Sequence, residues 1–165
     1  MLDDLLRPAW FDATLLDVVS GTLSLSTWTS HVVSEGLDTV LSDMAESLTV
    51  FAPSNDAFLN LDPSLVTFWD SAEGKDELRS TLSNHIAVGG PHSLLPILNS
   101  ASSYPHMVQV STLQGPGVEL IVNSPSDIEV GGPVNTASLL GVSQGENLVA
   151  YNGLVHVIDQ VLQLE

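Results

Sequence analysis

Apolar residues first recur every three or four positions along this chain and later every second position, and that change of period separates two kinds of structure. Leu15, Leu16, Val18 and Val19 follow Asp12 and Thr14, either of which can cap a helix start, and Gly21 can stop it. A second helical stretch begins at Ser26 or Thr27, carries Trp28 and Val32 on one face, meets Gly36, and resumes through Leu37, Val40 and Leu41. Leu48-Thr49-Val50-Phe51-Ala52 is short, β-branched and aromatic, as a buried strand is, and Pro53 ends it. Ser54 then offers a hydroxyl to the open N–H groups of a short helix. That helix has Asp56 in its first turn and Ala57, Phe58 and Leu61 facing inward. Asp62-Pro63 repeats the device, a cap followed by proline at the first helical position. Leu78, Leu82 and His85 or Ile86 share one face of a helix expected over 75–86, which Gly89-Gly90-Pro91 breaks. Residues 93–98 offer one further helical turn.

From Met107 the period is two. Val108 and Val110 alternate, Leu113-Gln114-Gly115-Pro116-Gly117 predicts a hairpin turn, and Val118, Leu120 and Val122 make the return strand. Ile128 and Val130 begin another strand, stopped by Gly131-Gly132-Pro133. Further strands are expected within 134–142 and at 148–150. Asn152-Gly153 is a tight-turn signal before a strand over 154–158, and 161–164 reads as a last strand beyond an Asp159-Gln160 turn. Helices first, then mostly antiparallel strands, with one strand embedded among the helices, is an α+β plan. No internal repeat, linker or low-complexity segment divides the chain, so a single domain is expected.

Two segments of this pattern carry a family resemblance. Thr49-Val50-Phe51-Ala52-Pro53-Ser54-Asn55-Asp56-Ala57-Phe58 resembles the first signature box of the fasciclin-like (FAS1) family. Asn152-Gly153-Leu154-Val155-His156-Val157-Ile158-Asp159-Gln160-Val161-Leu162 resembles the second, about 100 residues later, as in the family. Between them, Leu82-Ser83-Asn84-His85-Ile86-Ala87-Val88-Gly89 is similar to the family's central Tyr-His segment, and Thr112-Leu113-Gln114-Gly115 to its hairpin. The resemblance implies an N-terminal extension over 1–13, a FAS1 domain over 14–163 and a tail over 164–165. It also implies a β-wedge or sandwich of about seven mostly antiparallel strands with a cluster of α-helices. The implied role is that of a secreted or surface-anchored, non-catalytic adhesion module. It would contact cell-surface or matrix proteins or polysaccharide as a monomer or weak dimer, with no cofactor. By their residue types, Thr49, Phe51, Pro53, Ser54, Asn55, Asp56 and Phe58 of the first box read mainly as folding devices, as do Asn152, Gly153, His156 and Asp159 of the second.

The resemblance also points to candidate binding residues. The Tyr-His pair corresponds to Asn84 and His85, so only the histidine is kept. A family adhesion site, an Asp-Ile pair just before the second box, corresponds to Asn147 and Leu148. The carboxylate is gone from that pair, although Glu146 is adjacent. There is no Arg-Gly-Asp, which favours a partner other than an animal-type integrin.

Charge changes the picture most. Twenty acidic residues stand against three basic ones, Arg7, Lys75 and Arg79, for a net charge of −17. Such a surface repels phosphate backbones and anionic lipid, which excludes nucleic-acid binding and disfavours membrane adhesion. The longest apolar runs are too short to span a bilayer, so no direct membrane insertion is expected. An alternative function for so acidic a domain is to bind a small ligand or a divalent cation, but the acids are dispersed and no EF-hand loop is present. The N-terminus, Met-Leu-Asp-Asp-Leu-Leu-Arg-Pro, does not read as a secretory signal. With no cysteine, disulfides and thiolate metal sites are excluded.

Catalytic constellations are missing from the pattern. His31, His85, His92, His106 and His156 form no His-x-x-x-His pair, and no Gly-x-Ser-x-Gly elbow or phosphate-cradling glycine loop occurs. No Asn-x-Ser/Thr acceptor is present; Asn99-Ser100-Ala101 and Asn135-Thr136-Ala137 miss by one position. Of Trp10, Trp28 and Trp69, Trp28 sits on core spacing, and Trp69, beside Phe68 in a polar stretch, is the better candidate for exposure.

A surface this one-sided in charge is destabilised by its own repulsion, which salt screens. The melting temperature is expected to rise between low and high sodium chloride, and an unchanged melting curve would contradict this reading of the charge.

Overall fold

A computed structural model describes residues 12–89, 103–140 and 148–164. Trp10, His92, Glu146, Asn147 and the helical turn expected at 93–98 lie outside the described residues. The helices are α1 (Leu15–Ser20), α2 (Ser26–Ser34), α3 (Asp38–Leu41), α4 (Asn55–Leu59), α5 (Pro63–Asp70) and α6 (Lys75–Asn84). The strands are β1 (Leu48–Pro53), β2 (Ile86–Ala87), β3 (His106–Thr112), β4 (Gly115–Ser124), β5 (Asp127–Gly131), β6 (Thr136–Ser138), β7 (Leu148–Ala150) and β8 (Gly153–Ile158). They form one sheet in the order β6-β5-β4-β3-β2-β1-β8-β7, antiparallel throughout except where β1 and β8 run side by side in parallel. This is the expected α+β arrangement.

Local chemistry starts and stops the helices as the sequence foretells. Thr14 and Asp17 form a reciprocal capping box on α1, with Thr14 N–H donating to Asp17 Oδ2 at 2.9 Å. α2 ends in a Schellman turn. Gly36 takes φ +72°, its N–H reaches Val33 O, and Leu37 N–H reaches Val32 O at 3.0 Å. Both expected cap residues, Ser54 and Asp62, accept from backbone N–H groups of α4 and α5. Among the described residues the two cations, Lys75 and Arg79 on α6, converge on the end of α2. Lys75 Nζ lies 3.2 Å from Glu35 Oε1, and Arg79 Nη1 donates to Glu35 O at 3.0 Å.

The sheet separates two cores. On one side, Leu15, Val19, Trp28, Leu41, Trp69 and Leu82 from the helices pack with Val50 of β1 and Val155 of β8. On the other, Phe51 and Ile158 from the same two strands pack with apolar residues of β3, β4, β5 and β6, and with Leu162. Every residue of β1 is therefore buried, which explains why its sequence reads as a run of apolar residues with only Thr49 among them rather than as an alternation. The far end of the sheet curls back to close the second core. Leu139, just after β6, bridges Ile158, while Leu140 N–H donates to Val157 O and Asp159 N–H to Ser138 O.

Three expectations need correction. The helix expected to run to residue 86 stops at Asn84, because Ile86 turns into β2 and pairs with Val50. The hairpin turn is only Leu113-Gln114; Gly115 already pairs with Thr112. Residues 161–164 form no strand, since side chains take their backbone groups: Leu162 N–H donates to His85 Nε2, Gln163 N–H to Asn135 Oδ1, and Asn135 Nδ2 donates to Val161 O.

Gly153 opens β8 opposite Leu48, so close that a Cβ would overlap the Leu48 carbonyl. Gly153→Ala must force β8 away from β1 and is expected to cost about 3 kcal/mol or more, as overpacking against rigid backbone does. A urea midpoint equal to wild type would refute this.

Candidate functional site

The two signature segments meet as β1 and β8, in register from Leu48 opposite Gly153 to Pro53 opposite Ile158. Thr49 and Phe51 are buried, and Phe51 stacks on the His156 ring with centroids 5.7 Å apart. At the end of the pair Ser54 N–H donates to Ile158 O, so the first box is tied to the second where both leave the sheet. Ser54 Oγ accepts from Ala57 N–H, Asp56 stands exposed in the first turn of α4, and Phe58 is buried. Asp159 Oδ1 accepts from Ser138 N–H at 2.7 Å, holding β6 near the end of β8.

The two asparagines act as clasps. Asn55 Oδ1 accepts from Thr27 N–H at 3.0 Å and its Nδ2 donates to Leu23 O, pinning the start of α2 to α4. Asn152 is buried; its Oδ1 accepts from Leu15 N–H at 2.8 Å and its Nδ2 donates to Leu41 O and Asp43 O. An amide at this position serves three backbone groups, of which the Leu15 N–H and the Leu41 carbonyl would otherwise lie buried without this partner.

Asn84 and His85, the candidate binding pair, are both buried. Asn84 Oδ1 accepts from the Thr112 hydroxyl, and its Nδ2 has no partner, a cost rather than a contact. The His85 ring lies wholly in the interior. Nδ1 donates to Thr81 O at 2.7 Å, which leaves Nε2 to accept from Leu162 N–H at 3.0 Å. Desolvation pushes its pKa down to about 4 against the weaker pull of the Thr81 carbonyl. In this fold both side chains are spent on joining α6 to β3 and to the segment after β8. Leu148, from the other candidate site, starts β7 at the end of the sheet and is half-buried; beside it Val149 and Tyr151 are exposed. Trp69, expected at the surface, is buried with its indole N–H on Glu77 Oε1 at 3.2 Å, and it is Phe68 that is exposed. Among the described residues no group of three or more His, Asp or Glu stands close enough to hold a metal ion, and no helix is long and apolar enough to cross a membrane.

A sequence model described as "Fasciclin domain" matches residues 23–164. The chain belongs to the fasciclin domain family. Members of this family are generally extracellular, adhesion-related modules. A curated relative, Protein sll1483 from Synechocystis sp. (strain ATCC 27184 / PCC 6803 / Kazusa), is 31% identical over 150 residues, covering 90% of this chain and 72% of the relative. Among solved structures, a FAS1 domain pair from the insect cell adhesion molecule Fasciclin I superposes with a TM-score of 0.63 at 23% identity. That match covers 86% of this chain but 45% of the pair, so this fasciclin domain spans less than half of that structure.

One arrangement escaped the sequence reading. Thr27 and His31 lie on one face of α2, beside Phe58 and Trp69. Their four-residue spacing was the only available signal, and it holds a single histidine.

Because His85 has a lower pKa folded than its ordinary 6.5, the unfolded chain takes up a proton first as pH falls. Neutral His85 therefore favours the fold fully above about pH 6.5, and that advantage is lost as pH drops toward 4, by about 3 kcal/mol. Urea titrations of wild type and His85→Gln should show the stability gap between them narrowing by that amount from pH 7 to pH 4. A constant gap would refute it.

Proposed function

We propose that this fasciclin domain is a non-catalytic, extracellular or cell-surface module that binds a protein or polysaccharide of the surface or matrix. The observation that carries the reading is how the signature side chains are used. Asn55, Asn152, Asp159 and His85 all spend their hydrogen bonds closing the fold internally, as scaffold residues do, whereas reacting groups must converge with bonding capacity to spare. Family membership supports the same reading, and the insect cell adhesion molecule is a structural relative that carries out adhesion.

The contact surface we favour is the end of the sheet at β7. Val149 and Tyr151 present exposed apolar and aromatic area there, next to Leu148, and tyrosine is a common anchor in recognition surfaces. The net charge of −17 disfavours acidic polysaccharides and favours a neutral or basic partner.

Surface plasmon resonance of the immobilised domain against purified matrix proteins and neutral and acidic polysaccharides tests this. Saturable binding with a Kd in the micromolar range is expected for at least one neutral or basic partner, weakened about tenfold by Val149→Ser with Tyr151→Ser. Binding that ignores the double substitution would overturn the placement at β7, and silence across the panel would overturn the function.

A further inference from the structure

Between α2, α4 and α5 lies a cleft of about 290 Å³. Phe58, Leu59, Val66 and Trp69 supply its apolar walls, and Thr27, His31 and Asn55 its polar ones. Phe58 and Trp69 are buried, whereas Leu59, at the rim, is 81% exposed. So exposed a leucine on so highly charged a protein is ready to gain burial when the cleft fills.

The polar groups decide the chemistry. Trp69 has already given its indole N–H to Glu77, and the Asn55 amide is committed to α2. Among the described residues the Thr27 hydroxyl and the His31 ring nitrogens make no hydrogen bond; beyond the backbone ladder of α2, the bonds of these residues are those of the Thr27 N–H and the His31 carbonyl. The two side chains stand one turn apart on the same face of α2 and both line the cleft. One hydroxyl and one imidazole, unclaimed and adjacent on an apolar wall, are the kind of sparse polar pair that orients a small ligand.

We propose that this cleft binds a small uncharged molecule with one apolar ring and a hydroxyl group, the ring lying against Phe58, Val66 and Trp69 and the hydroxyl bonding to His31 and Thr27. The volume admits a single substituted ring, being larger than an engineered cavity of about 150 Å³ that takes benzene. The net charge of −17 argues against an anion. Burial keeps His31 neutral by lowering its pKa; Lys75 on α6 acts in the same direction, while Asp70 on α5 and Glu35 beyond the end of α2 oppose it. A neutral imidazole accepts a hydroxyl proton, and the Thr27 hydroxyl donates back to the same oxygen. His31 also packs at 5.4 Å from the Phe58 ring, so the polar and aromatic walls adjoin.

The site is separate from β7 and its failure leaves the adhesion reading untouched. The test uses p-cresol as probe, toluene as the analogue without a hydroxyl, and 4-hydroxybenzoate as the anionic analogue, followed by amide chemical shifts of the whole chain. p-Cresol is expected to saturate with a Kd in the millimolar range or tighter, shifting resonances of α2, α4 and α5, with toluene and 4-hydroxybenzoate each about tenfold weaker. Val66→Phe, which fills the cleft, should abolish the shifts. Leu59→Glu, at an exposed position that leaves the core alone, should weaken binding about fivefold. His31→Leu should bring p-cresol down to the affinity of toluene. Shifts confined to other elements, equal affinity for all three probes, or undiminished binding by both Val66→Phe and Leu59→Glu would overturn the proposal.

Discussion

The parallel contact between β1 and β8 is the constraint on which the rest of the molecule depends. It joins segments roughly 100 residues apart, and both strands are mostly apolar on both faces because each face borders a different core. Remove the pairing and the helical layer loses its floor while the curled half of the sheet loses its inner wall. The side chains flanking the pair add to it. Asn152 ties the turn before β8 to α1 and to the chain after α3, and Ser54 ties the end of β1 to the end of β8.

Much of this was legible from residues alone because the relevant physics is local. Capping by Thr14, Ser54 and Asp62 works through neighbours a few positions away, so the helix starts fell where the sequence put them. The strand at 48–52 announced itself by composition, and Asn152-Gly153 by turn chemistry. What escaped was non-local. Ile86 leaves helical periodicity only because Val50 awaits it across the sheet, and residues 161–164 stay irregular because His85 and Asn135, far away in sequence, take their backbone groups. Trp69 looked exposed among polar neighbours, yet Glu77 from the next helix satisfies its indole and lets it sink.

The candidate site was less legible for the same reason. Resemblance put a name on Asn84 and His85 but could not say that both would be interior. The cleft between α2, α4 and α5 needs three helices from three parts of the chain, and nothing in the spacing of Thr27 and His31 alone distinguishes a free pair from a satisfied one. The duties of the side chains divide accordingly: amides and the buried imidazoles of His85 and His156 sit within the scaffold, while the groups left over face outward or into the cleft.

The order in which the sheet is threaded carries a temporal consequence. β8 inserts beside β1, which is made long before it, so neither core can close until nearly the whole domain has been synthesised. During that wait the apolar faces of the early helices stay uncovered. The net charge of −17, spread along the chain, then favours keeping unfinished copies apart by mutual repulsion until the final strand arrives to complete the interior.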